Sequence, residues 1–209
     1  MDLFSVNHIQ CTFLKKKKNG LIILSQADLE NGFANIRYDV FKTTYASFWV
    51  ELIHFWLEED KVQSDLYDLL FFSLDALNAG TIEKEVLNLL FQIRFMSISG
   101  FSPNIENCDI CKTPVDHIEQ KNLRFDFKEG RIICQNCVKN RSKYGMTISK
   151  GTLKQLFWIN NSDISRADRL RFSGFAIEEG TRLLEAFIPF HIGRDFKSLR
   201  FLNRLRQDK

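Results

Sequence analysis

Two cysteine pairs, Cys108-x-x-Cys111 and Cys134-x-x-Cys137, stand 22 residues apart, and no other feature restricts so narrowly what the chain can fold into. A two-residue gap lets both sulfurs of a pair turn toward one point, so two such knuckles joined by a hairpin-length loop offer four soft thiolates to one tetrahedral ion. That donor set suits Zn²⁺ and leaves no position for water, which makes the expected site structural. Iron or a redox dithiol are the alternatives that such cysteines leave open. His117 follows the first pair closely, but it reads as an exposed loop histidine rather than a rival ligand. The fifth cysteine, Cys11, sits alone among apolar strand residues and reads as a small buried core residue. An odd cysteine count with two tight pairs favours metal binding in a reducing compartment over disulfides. The segment 101–146 that carries the pairs is rich in turns and buries little apolar surface by itself, so its metal should contribute to its folding.

Around this module the periodicity is helical. The expected fold is mainly α: a helical bundle-like domain over 26–209 with the inserted four-cysteine zinc module at 101–146, preceded by a β-hairpin over 1–25. In that hairpin IQCTFL and LIIL flank KKKKNG, and Asn19-Gly20 signals a type I′ turn. Two strands are marginal alone, so they must pack on the helical body or on further strands. Ser25 with Asp28 resembles a capping box, and Leu29, Phe33, Ile36 and Val40 recur at helical spacing, which predicts a first helix from Ser25. Three more follow: Thr44 to Glu59 with Phe48, Leu52 and Phe55 on a stripe, a helix from Ser64 ended by Gly80, and Ile82 to Ile98 with Gly100 beyond. Within the module LRFDFKEGRIIC alternates and turns at Glu129-Gly130. Helical patterns return near Thr152 to Asn160, Ile164 to Phe172, Ala176 to Phe190 and Phe196 to Leu205.

The net charge of +3 conceals an asymmetry, because residues 1–138 hold 14 Lys+Arg against 19 Asp+Glu whereas 139–209 hold 15 against 7. A cationic C-terminal third points to a polyanionic partner. Three basic groups are candidates: Lys15 to Lys18; Lys139, Arg141, Lys143 and Lys150; and Arg194, Lys197, Arg200, Arg204 and Arg206. The first and third also have plainer readings, as a solvated turn that protects a sheet edge and as the outer face of an amphipathic closing helix. No apolar run reaches the length of a membrane span, because Glu51 and His54 interrupt the greasiest stretch, and the N-terminus lacks the pattern of a signal peptide. A cytoplasmic, nucleoid-associated protein without a membrane partner is expected. The chain has no glycine-rich phosphate loop, GxSxG or HExxH, and its four histidines are scattered, so no enzymatic activity is expected.

In their order these pieces resemble the RecO family. GLIILSQADLENGFANIRYDVFKTTYASFWVELIHFWLEED is similar to the join between that family's N-terminal OB-fold and its helical domain. LLFQIRFMSISGFSPNIENCDIC and GRIICQNC resemble the stretches that carry its two cysteine pairs, and IPFHIGRDFKSLRFLNRL its closing helix. The resemblance implies a partial OB-fold in 1–25, with the family's first strands missing. It implies a DNA repair and recombination mediator that binds single-stranded DNA, anneals complementary strands, engages single-strand-binding protein and RecR, and helps load RecA filaments. Phosphate contact is then expected first from Lys139, Arg141 and Lys143, and second from Lys15, Lys16, Lys17 and Lys18. The competing expectation is a zinc-stabilised protein-interaction adaptor without DNA binding of its own.

Overall fold

The computed structural model describes residues 6–12, 23–57, 61–138, 145–164 and 172–208. Two strands, β1 (Val6–Thr12) and β2 (Ile23–Asn31), pair antiparallel with Cys11 opposite Leu24. The expected hairpin pairing is therefore present, while its KKKKNG connection lies outside the described residues. The side chain of Cys11 lies outside them too.

The helix predicted from Ser25 does not form. Ser25, Asp28 and Leu29 belong to β2, Leu29 is exposed, and the chain then bends at Phe33, whose φ of 42° lies in the left-handed region. Phe33 and Ile36 are nevertheless buried, the latter in a single 3₁₀ turn. The helical spacing of apolar residues arose from a strand end followed by a tight turn, two elements whose inward positions happen to fall three and four apart.

Six α-helices follow among the described residues. Asp39 caps α1 (Val40–Trp56), its carboxylate accepting from the backbone N–H groups of Phe41 and Lys42. This start lies four residues before the expected one, because a capped turn of Val40 to Thr43 precedes the apolar stripe. Next come α2 (Ser64–Ala79), closed by Gly80 at φ 71°, and α3 (Lys84–Ile98). α3 holds ten buried residues, from Val86 to Met96, and is packed by α1, α2, α4 (Lys150–Asn161) and α5 (Gly174–Ile192). A helix apolar on nearly every face must be the centre of the domain. Trp49 of α1 stacks on Phe91 of α3 with ring centroids 5.0 Å apart, and each such fully buried ring contributes roughly 1.5–3 kcal/mol through burial alone. The helical pattern expected over Ile164 to Phe172 falls mainly on residues outside the described ones.

Between α3 and α4 lies a three-stranded antiparallel sheet in the order β4 (Arg131–Ile133), β3 (Asn122–Asp126), β5 (Gly145–Ser149). The β3–β4 hairpin turns at Glu129-Gly130 as its alternation predicts. β5 was not anticipated, since GMTIS alternates too briefly to be told from the start of the next helix. Gly145 is required where β5 meets β3, because a Cβ there would lie 2.1 Å from the carbonyl oxygen of Phe125.

The last helix, α6 (Lys197–Gln207), packs on α1. Its N-cap residue Phe196 supplies no capping oxygen. Glu51 of α1 does so instead, accepting from the N–H of Lys197 at 3.1 Å and of Ser198 at 3.0 Å. A carboxylate on two orphan donors at a positive helix end joins α6 to α1. Glu51→Ala should cost about 1–2 kcal/mol, the range of a lost cap with its dipole interaction, and Glu51→Gln less; urea unfolding midpoints measure both.

Candidate metal centre and cationic surface

The sulfur atoms of Cys108, Cys111, Cys134 and Cys137 all lie within 4.8 Å of one another. Backbone geometry gathers them. In the first knuckle Lys112 adopts φ 58°, its N–H donates to the Cys108 carbonyl at 2.8 Å, and the Cys108 N–H donates to the Thr113 carbonyl at 2.9 Å. The Cys137 N–H closes the second by donating to the Cys134 carbonyl at 3.0 Å. The two knuckles meet where the Cys134 N–H donates to Cys108 Sγ at 3.3 Å. The Arg131 guanidinium of β4 donates to the Asp109 carboxylate at 2.5 Å, fastening the first knuckle to the hairpin that leads to the second.

The cage is buried on one side, with Cys108 and Cys134 enclosed, Cys137 half-buried and Cys111 exposed. Two of the thiols are pulled in opposite directions. Hydrogen bonds from the Thr113 hydroxyl and backbone pull the Cys111 thiol down to about 6, whereas contact with the neighbouring Cys134 sulfur and burial push Cys137 up to about 12. Four sulfurs this close cannot all ionise without a cation between them. A tetrahedral ion with bonds of about 2.3 Å places its sulfurs about 3.8 Å apart, and Cys111 Sγ lies 3.8 Å from Cys134 Sγ. The residues present thus fit a four-thiolate metal site. His117 is exposed and no part of the cluster.

The module is tied to the helices by specific contacts. Phe125 of β3 meets Phe187 of α5 edge-on at 5.3 Å, and the Glu179 carboxylate of α5 accepts from the N–H of Ser149 at 3.0 Å. Ser149 in turn caps α4. Lys150 donates its ammonium to the carbonyls of Asp116 and Ile118 at 2.9 and 2.6 Å, so it fastens the module to α4 and is not the free cation that the sequence suggested.

Lys15 to Lys18, Lys139, Arg141 and Lys143 lie outside the described residues. Of the C-terminal group, Arg206 is consumed internally. Its guanidinium donates to both oxygens of Glu185, at 2.7 and 3.0 Å, and to the hydroxyl of Tyr45 at 3.1 Å, and burial pushes the Tyr45 phenol up to about 12. Glu185 also accepts from Asn88 of α3, whose carbonyl oxygen takes the Trp49 indole N–H at 3.0 Å. Glu185 and Arg206 line a cleft of about 900 Å³ together with Glu83, Glu85, Ile177 and Arg182. Arg94 is likewise structural, donating to the Ile159 and Ser162 carbonyls at the end of α4. None of these long-range pairings leaves a local mark in the sequence.

Residues 37–200 match the family model for the recombination protein O C-terminal domain. The chain belongs to the RecO family. It is 39% identical over 192 residues to the DNA repair protein RecO of Desulfatibacillum aliphaticivorans, covering 92% of this chain and 74% of that protein. The RecO of Desulfosudis oleivorans is 36% identical, with coverage of 90% and 74%. The RecO of Bacillus subtilis is 26% identical, with coverage of 95% and 75%. The helical body with its cysteine cluster thus falls where the family match lies, whereas the β1–β2 pair precedes it. Among the described residues no helix is long and apolar enough to cross a membrane.

Elemental analysis of the purified protein should find one equivalent of a divalent metal. Its removal by a chelator, or Cys108→Ser or Cys134→Ser at the buried ligands, should lower Tm by on the order of 10 °C, the shift that a loss of roughly 3–4 kcal/mol produces in a domain of this size. Cys111→Ser at the exposed corner should lower it less.

Proposed function

We propose that this chain acts in DNA repair and homologous recombination as a RecO-type mediator: it binds single-stranded DNA, promotes annealing of complementary strands, and with RecR helps load RecA onto DNA coated by single-strand-binding protein. The single observation that carries this reading is the match of residues 37–200 to the RecO C-terminal family together with relatives named DNA repair protein RecO. The excess of 15 Lys+Arg over 7 Asp+Glu in residues 139–209 supports it, since a surface that neutralises phosphates needs charge and not base-reading geometry.

In this proposal the four cysteines hold Zn²⁺ as thiolates. The ion supplies cross-linking of the module and no chemistry, because four sulfurs fill a tetrahedral shell and leave no place for water or substrate. The protein residues around it do the rest: Arg131 and the knuckle N–H groups orient the sulfurs, and Lys150, Glu179 and Phe187 carry the rigidity of the module into α4 and α5. The mediator is not an enzyme. Lys139, Arg141 and Lys143 leave the second knuckle directly and are proposed as phosphate contacts, with Lys15, Lys16, Lys17 and Lys18 as secondary ones.

Fluorescence anisotropy with a labelled single-stranded oligonucleotide should give micromolar or tighter binding at low salt. Log affinity should fall linearly with log salt, by about 0.7 for each phosphate neutralised. Charge reversal of Lys139, Arg141 and Lys143 together should weaken binding at least tenfold. Absence of binding by the native protein at low salt, with RecR or single-strand-binding protein still retained in a pull-down, would replace this reading with that of a protein adaptor.

A further inference from the structure

We infer that the solvent face of α6 is a docking surface for single-stranded nucleic acid, with Phe201 as the platform on which a base stacks and Lys197, Arg200 and Arg204 as the cations that take the flanking phosphates. The inference rests on the proposal that the chain binds single-stranded DNA, and it gives that binding a place within the described residues.

Position along the helix makes the surface. Phe196, Leu199 and Leu202 face the core and are buried. Lys197, Arg200, Phe201 and Arg204 follow one another at i, i+3, i+4 and i+7, the spacing of a single stripe, and all four are exposed. The stripe rises about 10 Å from Lys197 to Arg204, roughly three nucleotides of a stacked strand at about 3.4 Å each.

Phe201 is the telling residue. It leaves 48% of its surface in water, whereas the leucines of α6 are buried or half-buried. A phenylalanine held open between cations one turn before it and one turn after it offers a flat π-face that any base can cover, which is how proteins hold single strands without reading sequence. The flanking charges are available. Lys197 and Arg204 pair with no carboxylate among the described residues, and α6 itself contains no acid. Arg200 meets Asp195 at 3.1 Å, but both side chains are more than half exposed, a pairing that a phosphate can displace at little cost. Just before the helix the Arg194 guanidinium lies 4.7 Å over the ring of Phe55, itself 40% exposed, so a second aromatic–cation stack stands near the N-terminal end of α6.

The geometry favours a nucleic acid over an acidic peptide. A peptide with an apolar anchor needs a pocket in which to bury it, and none of the four stripe residues lines the cleft at Glu185 or the smaller one between Pro114 and Phe157. A base needs only the exposed ring.

The test uses the full chain in its metal-bound form, with a labelled oligothymidylate as the probe and anisotropy as the readout. Phe201→Ala should weaken binding about tenfold at low salt, whereas Phe201→Trp, which keeps a platform, should bind within twofold of the native protein. K197Q/R204Q should also weaken binding and reduce the slope of log affinity against log salt by about 1.4, two phosphates at about 0.7 each. Far-UV circular dichroism and Tm should stay unchanged in all three variants, since each altered side chain is exposed. Native-like affinity and slope in Phe201→Ala and K197Q/R204Q would overturn the inference while leaving DNA binding itself intact. If the variants instead lose a labelled oligo-aspartate peptide that ends in phenylalanine and keep the oligonucleotide, the face belongs to a protein partner and the inference falls. If the native protein binds no oligonucleotide, both the inference and the proposal beneath it fall.

Discussion

A helix that is apolar on nearly all sides survives in water only when other elements enclose it, and α3 is such a helix. Its residues from Val86 to Met96 are buried almost without interruption, so α1, α2, α4 and α5 must close around it. The polar residue nearest α1 and α5 is accommodated. Asn88 is fully buried, yet it accepts from the Trp49 indole and donates to Glu185, which lets a polar group sit in the core without the penalty of an unmade hydrogen bond. Through Glu185 the same network reaches Arg206 and Tyr45, so the centre of the domain and its last helix are joined by a continuous set of partners.

The cysteine module is a different solution to the same problem of burial. Its strands are three to five residues long, too short for a core of their own. It is held from two directions: the sulfur cluster draws its knuckles together, and Phe125, Ser149 and Lys150 fasten it to the helices. One face of the cluster rests in the protein and the other, at Cys111, meets solvent. A metal there would stiffen the connection between α3 and α4 and so hold the helical body and the sheet as one piece.

Basic residues in this chain divide between structure and surface in a way that counting does not reveal. Arg94, Arg131, Lys150 and Arg206 each have protein partners that fix an element end, a knuckle or a helix contact. The side chains of Lys197 and Arg204 pair with no carboxylate among the described residues, and they share a helix face with an exposed phenylalanine. A net charge therefore indicates that a polyanion can be attracted, whereas the partners of individual cations decide where it can be held.

From the sequence alone, the cysteine pairs, the caps and turns at Gly80 and Glu129-Gly130, and the helices whose stripes repeat over several turns were legible, because each depends on residues within a few positions of one another. The motif order that resembles RecO was legible for the same reason, since each motif is a short local string. The helix predicted at Ser25 was not, because a strand end and a tight turn copied its apolar spacing; β5 escaped because five residues show no reliable period. Only the tertiary structure decided that Glu51 caps a helix 146 residues further on, that Lys150 and Arg206 are spent on internal contacts, and that Phe201 stays in water between exposed cations. Those outcomes depend on which surfaces meet, and side chains distant in sequence become neighbours only after the core around α3 has closed.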